Sequence, residues 1–430
     1  MVSRLLAAAV LLLSIVVAWL TLASVVAARL LQAVVALSLL YVGYLAWHDR
    51  RGMRAARTAG APDASSELPT VTIIIPARNE ARTIPGLIGD LLRQDYAALS
   101  VLVVDDGSTD GTGEVVAAAA ADSELVRVAR RDERLPATKA GVLAYAEQLT
   151  TGALVGVLDA DSRVAPDFVS HMVRAWVRDP TVAALQAQRR SGNYAAGWLP
   201  AAQDDELLMD MASQWGRFAG NGTAELRGSG MFVQRSVLER VGGWDTDALT
   251  EDLELSTRLT AEGERIGLVP EAEVREESVS SLRVLWRQRM RWAEGSMRRL
   301  MELGPRLLTA KGVPLGRRVD FLLFTTEFVV PPLFVTTTIA SLLTIPLPGR
   351  ADWTLPASLF VGYGLGSFLL ALAGISARGW RGLALFGRSL RGSLFLSHWL
   401  VVVPAALLRI ALLPRTRGFA QTPHHGTPAE

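Results

Sequence analysis

Apolar residues gather at both ends of the chain, and short apolar runs alternate with polar stretches in its middle. Residues 5–47 are nearly uncharged and interrupted by Arg29. Segments 5–28 and 30–47 are each long enough to cross a bilayer as a helix, the second one only just. A cleaved signal peptide would also open with Arg4 and an apolar run, but a second apolar stretch follows at once, which favours anchoring. Arg50, Arg51, Arg54 and Arg57 mark an inside flank, so residues 1–57 are predicted to form two membrane helices with both ends inside. Residues 58–69, rich in Ala, Gly, Pro and Ser, read as a linker.

In the middle the pattern changes. Apolar runs at 71–75, 101–104, 125–129 and 155–158 have strand length, and helical stretches separate them. Pro76 ends the first run, and a helix follows to about Arg93. Another helix carries Lys139. This alternation predicts an α/β domain over 70–280 with a mostly parallel sheet, and ligands bind at the carboxyl edge of such sheets. Residues 281–318 read as an amphipathic helix at the membrane surface, its apolar stripe interleaved with arginines and tryptophans. Residues 319–413 hold two clear spans, 321–345 with Pro331 and Pro332 kinking or breaking it, and 353–376. Arg378, Arg381, Arg388 and Arg391 follow as an inside flank. A third segment, 394–413, either spans or lies re-entrant or interfacial, and 414–430 is a tail.

Composition narrows the classes. Half the residues are hydrophobic, too many for a purely soluble protein, and there is no cysteine. Disulfides, thiolate metal sites and cysteine nucleophiles are therefore excluded. A net charge of +2 gives no argument for nucleic acid. The basic residues are nearly all arginine, with Lys139 and Lys311 the two lysines, which singles out Lys139. No G-x-G-x-x-G follows the first strand and no G-x-x-x-x-G-K-[ST] occurs, which disfavours a dinucleotide fold and a P-loop.

The candidate chemistry centres on Asp159 and Asp161, one residue apart after a buried strand. Alternate side chains of an extended segment point the same way. Two close carboxylates facing one point call for a cation, and a hard divalent ion is the usual answer. An ordinary turn is the competing reading. Asp105 and Asp106 end the second strand at the same edge, where a turn with a helix cap competes. Thr250-Glu251-Asp252 opens a helix, either as plain capping or with Asp252 as a general base. Gly228-Ser229-Gly230 allows close approach of a ligand or backbone. Gln288, Arg291 and Trp292 share one helix face. Asp204, Asp205, Glu206 and Asp210 read as a solvated or membrane-edge face.

The order of these motifs resembles the membrane-bound glycosyltransferase family 2, which includes cellulose, hyaluronan and poly-N-acetylglucosamine synthases and ceramide glucosyltransferases. The resemblance covers about 71–292. It implies a GT-A fold, Rossmann-like, flanked by transmembrane helices, and a nucleotide-sugar donor, a UDP-sugar first, bound in the cytosol. It implies that Ala77, Glu80, Asp105, Asp106 and Lys139 bind the donor. Asp159 and Asp161 would hold its diphosphate through Mg2+ or Mn2+, and Asp252 would be the catalytic base. Gln288, Arg289, Arg291 and Trp292 match Q-x-x-R-W, and with Glu251 and Gly228-Ser229-Gly230 they would line the diphosphate and acceptor site. The acceptor would be a growing polysaccharide or a membrane lipid, and the enzyme a multi-pass plasma-membrane protein, with any accessory subunit unknown. The ending Phe419 to His424 loosely resembles W-x-x-T-x-[KR]. A non-catalytic nucleotide-sugar-binding scaffold is the alternative, against which Asp252 and Q-x-x-R-W argue. A transporter would need more ionisable residues inside its spans.

Overall fold

The computed structural model describes residues 2–58, 68–121, 123–131, 136–346 and 353–414. Most of the expected linker, the link before residue 353 and the tail from 415 onward lie outside the described residues.

One sheet of eight strands forms the centre. β1 (Val71–Ala77), β2 (Leu99–Asp105), β3 (Val126–Arg130) and β4 (Leu154–Val157) run parallel, with β1 between β2 and β4. Beyond β4 the sheet is mixed. β5 (Arg163–Val164) is the far edge, and β6 (Val182–Ser191), β7 (Met231–Gln234) and β8 (Arg265–Glu276) complete the order β3-β2-β1-β4-β7-β6-β8-β5. β7 is antiparallel to both β4 and β6, and β8 is parallel to β6. Two reversals restore the original direction. The carboxyl ends of β6 and β8 therefore reach the same edge as those of β1, β2 and β4.

The apolar runs are buried on both faces because helices cover both. Ile73 and Ile75 pack on one side with α3 (Ile84–Leu91) and α6 (Phe168–Arg178). Ile74, one residue out of phase, packs on the other with α5 (Lys139–Glu147) and α9 (Glu251–Ala261). Two short helices, α4 (Thr112–Ala119) and α8 (Arg235–Arg240), follow β2 and β7, and α7 (Trp198–Ala219) links the mixed half to the membrane region.

The N-terminal hairpin is α1 (Val2–Ala23) and α2 (Val25–Thr58). The break expected near Arg29 falls at Ser24, whose hydroxyl accepts the Ala27 amide at 3.4 Å, as a helix N-cap does. Arg29 stays inside α2 and donates to Gln32 at 3.0 Å. Ser3 bonds Arg298 of α10 at 3.1 Å, and Gly52 packs on Trp215 of α7, so both ends of the hairpin lie on the side of these two helices.

α10 (Leu282–Thr309) leads to α11 (Leu315–Thr325), α12 (Val330–Thr344), α13 (Thr354–Ala377), α14 (Gly382–Leu396) and α15 (Trp399–Leu412). By length and hydropathy, Val2–Ala23, Val25–Met53, Leu315–Thr344, Thr354–Ala377 and Gly382–Leu412 could each cross a membrane. The candidate span expected to start at 321 begins at Leu315. A tight turn at Thr326–Phe328 breaks it just before the proline pair, one of the two outcomes expected there, and Pro331 lies in the first turn of α12.

One expectation is corrected. Asp204 and Asp205 are not on a solvated face; both are fully buried. Arg388 and Arg391 of α14, expected as an inside flank, reach them. Arg388 holds Asp204 at 2.6 Å and Asp205 at 2.7 Å, Arg391 holds Asp205 at 2.6 Å, and Arg190 holds Asp204 at 2.9 Å. Carboxylates leave water when cations enclose them, and these cations come from β6 and α14, far away in the chain. Glu206 is likewise buried and paired. α15 runs beside α10, with Trp399 bonded to Glu206 of α7 and Arg409 to Glu294 of α10.

Candidate active site

The carboxyl edge of the sheet collects the candidate residues in two groups. The first lies over β1 and β2. Asp105 accepts the Ser108 amide at 2.9 Å and closes the turn after β2, where Gly107 has φ +72°. Asp106 is buried, paired with Arg131 and with Arg78 at 3.4 Å, and its amide donates to the Ala77 carbonyl at 2.8 Å. The Glu80 carboxylate accepts from the Thr83 hydroxyl at 2.7 Å, at the start of α3. These residues form one rim of the edge.

The second group lies over β4, β6 and β8. Asp159, Asp161 and Glu276 each present a carboxylate oxygen within 4.8 Å of the other two. Asp161 also accepts the Glu277 amide at 3.2 Å. Ser229 positions the turn: its hydroxyl accepts the Asp159 amide at 3.1 Å and meets the Ser162 hydroxyl at 2.8 Å. Glu276 ends β8 and pairs with Arg189 at 2.6 Å. Burial, with smaller contributions from Asp161 and Asp159, pushes its carboxyl up to about 6 against the pull of Arg189. Three converging oxygen donors, one of them the Glu276 carboxylate whose proton affinity the other two raise, fit a hard cation such as Mg2+ or Mn2+.

Lys139 joins this cluster to the Thr250-Glu251-Asp252 turn. Its ammonium lies 2.5 Å from Asp159 and 3.4 Å from Glu251. Burial alone would lower its pKa, but the two carboxylates outweigh burial and hold it above its ordinary value. Thr138 sets the position of Lys139 by capping α5, accepting the Gly141 amide at 3.0 Å. The Thr250 side chain makes no such cap; it packs against Gly295 of α10 instead. Burial raises the Asp252 carboxyl, with Lys139, Arg227 and Arg189 pulling the other way. Gly228, at φ +82°, lies close by: a Cβ there would stand 3.5 Å from an Asp252 oxygen and 3.7 Å from the Lys139 ammonium. Gly230, at φ +75°, abuts Val274 and Ala187.

α10 closes the site. Burial lowers Arg291, while Glu251 and Asp159 pull against that shift, so its guanidinium faces the cluster. Trp292 carries two cations, the Arg289 guanidinium 4.3 Å and the Arg189 guanidinium 5.9 Å from its ring centre. Arg289 turns away from the cluster to Glu206 at 2.5 Å, within an aromatic cage that includes Trp399. Gln288 is half-buried on the same helix. The expected residues therefore divide. Asp159, Asp161, Lys139, Glu251, Asp252, Gly228, Arg291 and Trp292 converge on one place. Ala77, Glu80, Asp105 and Asp106 form the neighbouring rim, and Arg289 braces the helix from behind. Sequence reasoning missed Glu276 and Arg189. Neither sits in a recognisable motif, and the sheet reversal alone brings them to this edge.

An α/β sheet with a Rossmann-like parallel half, a paired-carboxylate turn after a central strand and an arginine-tryptophan helix over it define a GT-A glycosyltransferase. Residues 69–295 match the family described as "Glycosyltransferase like family 2", and the chain belongs to that family. Over 397 residues it is 31% identical to the beta-monoglucosyldiacylglycerol synthase of Synechocystis sp., an alignment covering 89% of this chain and 81% of the relative. Over 239 residues it is 28% identical to the poly-beta-1,6-N-acetyl-D-glucosamine synthase of Staphylococcus aureus, covering 54% and 56%. Among solved structures, the mannosyltransferase PcManGT of Pyrobaculum calidifontis, in complex with GDP-Man and Mn2+, shares the fold. Its TM-score is 0.58 at 23% identity, covering 88% of this chain and 99% of that one.

Proposed function

We propose that this glycosyltransferase moves a hexose from a nucleotide-sugar, a UDP-sugar first, to a hydroxyl of a membrane lipid, with inversion at the anomeric carbon. The observation that carries the reading is the bridge of Lys139 between Asp159 and Glu251, which puts Asp252 beside the paired carboxylates. Asp159, Asp161 and Glu276 would hold Mg2+ or Mn2+, which when bound supplies charge neutralisation to the departing diphosphate.

Asp252 accepts the proton of the acceptor hydroxyl. The oxygen attacks the anomeric carbon as the bond to the diphosphate oxygen breaks, and the electron pair of that bond leaves with the nucleotide. Burial poises Asp252 for this task, because a carboxylate with raised pKa is a stronger base at working pH. Lys139 and Arg291 both face the cluster and offer cations to the leaving diphosphate. Trp292, held by Arg289, offers a flat face for a sugar ring. Asp105, Asp106, Ala77 and Glu80 form the rim on which the nucleoside would rest.

A lipid is favoured over a polymer because the alignment to the glycolipid synthase extends through the flanking helices, whereas that to the polysaccharide synthase covers about half of each chain. We place the protein in the plasma membrane with several passes and its α/β unit in the cytoplasm, since the two ends of the first hairpin, with the arginines after it, lie beside α10 and α7, the helices next to that unit. The test is nucleotide release by the purified protein in nanodiscs, with Mg2+ or Mn2+, across UDP-glucose, UDP-GlcNAc, UDP-galactose and GDP-mannose. A single glycosylated lipid is the expected product. A ladder of lengths would replace the lipid reading with a polymerase, and donor binding without turnover would leave a scaffold.

A further inference from the structure

Gly382–Leu412 is apolar and long enough to cross a membrane, yet it is two helices. α14 has 15 residues and α15 has 14, joined by a turn at Ser397 and His398. Each rises about 21–22 Å, short of a hydrocarbon core of about 30 Å. Only end to end could they cross, so their contacts decide the path. Just before the pair, Arg378 donates to Gln188 of β6 at 3.0 Å. In α14, Arg388 and Arg391 close on the buried Asp204 and Asp205 of α7. α15 opens with Trp399 on Glu206 of α7 at 2.9 Å and nears its end with Arg409 on Glu294 of α10 at 3.0 Å. The Ala411 and Leu412 carbonyls accept from Arg4 at 3.3 Å, and the adjoining Ser3 is bonded to Arg298 of α10.

A crossing segment would carry one end about 30 Å away from the partners of the other. Here the first and the last contacts both fall among β6, α7, α10 and the first turn of α1. Between them the pair dips beside α13: the Ser393 and Ser367 hydroxyls meet at 2.7 Å, and Tyr363 donates to the Leu396 carbonyl at 3.0 Å. The outer face of α14 has the opposite character to the face that holds Arg388. Leu383, Phe386, Leu390 and Leu394 are exposed there at helical spacing. The Phe386 ring lies 5.8 Å from that of Phe368 on α13, and the exposed Leu365 and Leu369 extend the same apolar patch along α13. A charged face sealed in ion pairs and an apolar face left open, continuous with a membrane helix, fit a helix lying against lipid.

We propose that Gly382–Leu412 does not cross the membrane: α14 and α15 form a re-entrant pair that enters and leaves on the side of the α/β unit, with the Leu383, Phe386, Leu390 and Leu394 face of α14 held in the acyl chains of the adjoining leaflet. The pair is then a lipid-facing wall fixed to the body that carries the site. This rests on the multi-pass placement above and adds the path of the last segment and the surface that meets lipid. The chain has no cysteine, so the test is single-cysteine labelling of the full chain in intact cells with a membrane-impermeant maleimide, before and after permeabilisation. Three exposed positions serve: Val25→Cys at the turn of the first hairpin, Lys311→Cys before α11 and Leu413→Cys after α15. Lys311→Cys and Leu413→Cys should label only after permeabilisation, and Val25→Cys before it. Labelling of Leu413→Cys from the side opposite to Lys311→Cys overturns the proposal. If Val25→Cys labels together with Lys311→Cys, the two-pass reading of the first hairpin fails, and the comparison of Leu413→Cys with Lys311→Cys still decides the path of the last segment. In nanodiscs, a spin label at Leu390→Cys or Leu394→Cys should be relaxed more by oxygen than by a water-soluble nickel chelate. The reverse order overturns the lipid contact.

Discussion

Replacing Glu206 by Ala tests how the membrane helices support the site. Glu206 and Arg289 meet at 2.5 Å with side chains 10% and 5% exposed, so solvent screens the pair little. Trp399 donates its indole N–H to the other Glu206 oxygen at 2.9 Å. In Glu206→Ala the Arg289 cation stays buried without its partner, a loss of about 3–5 kcal/mol in comparable buried pairs. The orphaned indole adds about 1–3 kcal/mol. Part of this will be recovered if water enters, so a net loss of about 3 kcal/mol or more is expected. The assay is denaturant unfolding in detergent for wild type, Glu206→Ala, Arg289→Met and the double variant. Either single change should be costly, and the double variant should be less destabilised than the two singles summed, with a coupling of at least about 1.5 kcal/mol. Trp292 loses a cation when Arg289 is replaced, so sugar transfer should fall together with stability. Singles costing under about 1 kcal/mol, or strictly additive effects, would refute the idea that this buried pair ties α10 to α7 and α15.

Asp252→Asn should lower transfer by about 10²–10⁴-fold with donor affinity nearly unchanged, checked by turnover and by nucleotide titration. Because burial raises the Asp252 carboxyl and the working form is deprotonated, kcat/KM should rise with pH through an acid limb lying above the ordinary aspartate range near 3.9. A limb at or below that range would contradict the assignment. Glu276→Gln should raise the Mn2+ concentration needed for half-maximal activity by about ten-fold or more, as read from metal titration. Gly230→Ala puts a side chain at φ +75° within 2.9 Å of Val274 and 3.0 Å of Ala187, and should cost about 1–3 kcal/mol in unfolding measurements.

Candidate residues of the site were legible in the sequence. Buried strands announce themselves as short apolar runs, and the turn after each must carry whatever faces the sheet's carboxyl edge. Asp159, Asp161, Asp252 and the Arg291-Trp292 pair could therefore be named as candidates from spacing, while the role of each was what the family resemblance implied. Helix propensity and hydropathy are also local, so the membrane segments were visible to within a few residues at most ends. What the sequence could not disclose depends on which distant segments become neighbours. Glu276 and Arg189 reach the site because β7 runs backwards between β4 and β6. Asp204, Asp205 and Glu206 looked like a solvated face because a run of acids normally seeks water. Arginines from β6, α10 and α14, as far as 186 positions along the sequence, enclose them instead. Lys139 stood out as a rare lysine, yet its place between Asp159 and Glu251 follows from the packing of α5 beside α9. Spacing along a chain fixes which face a side chain occupies, whereas its ionic partner is chosen by tertiary contact, and the charge balance of this site was decided there.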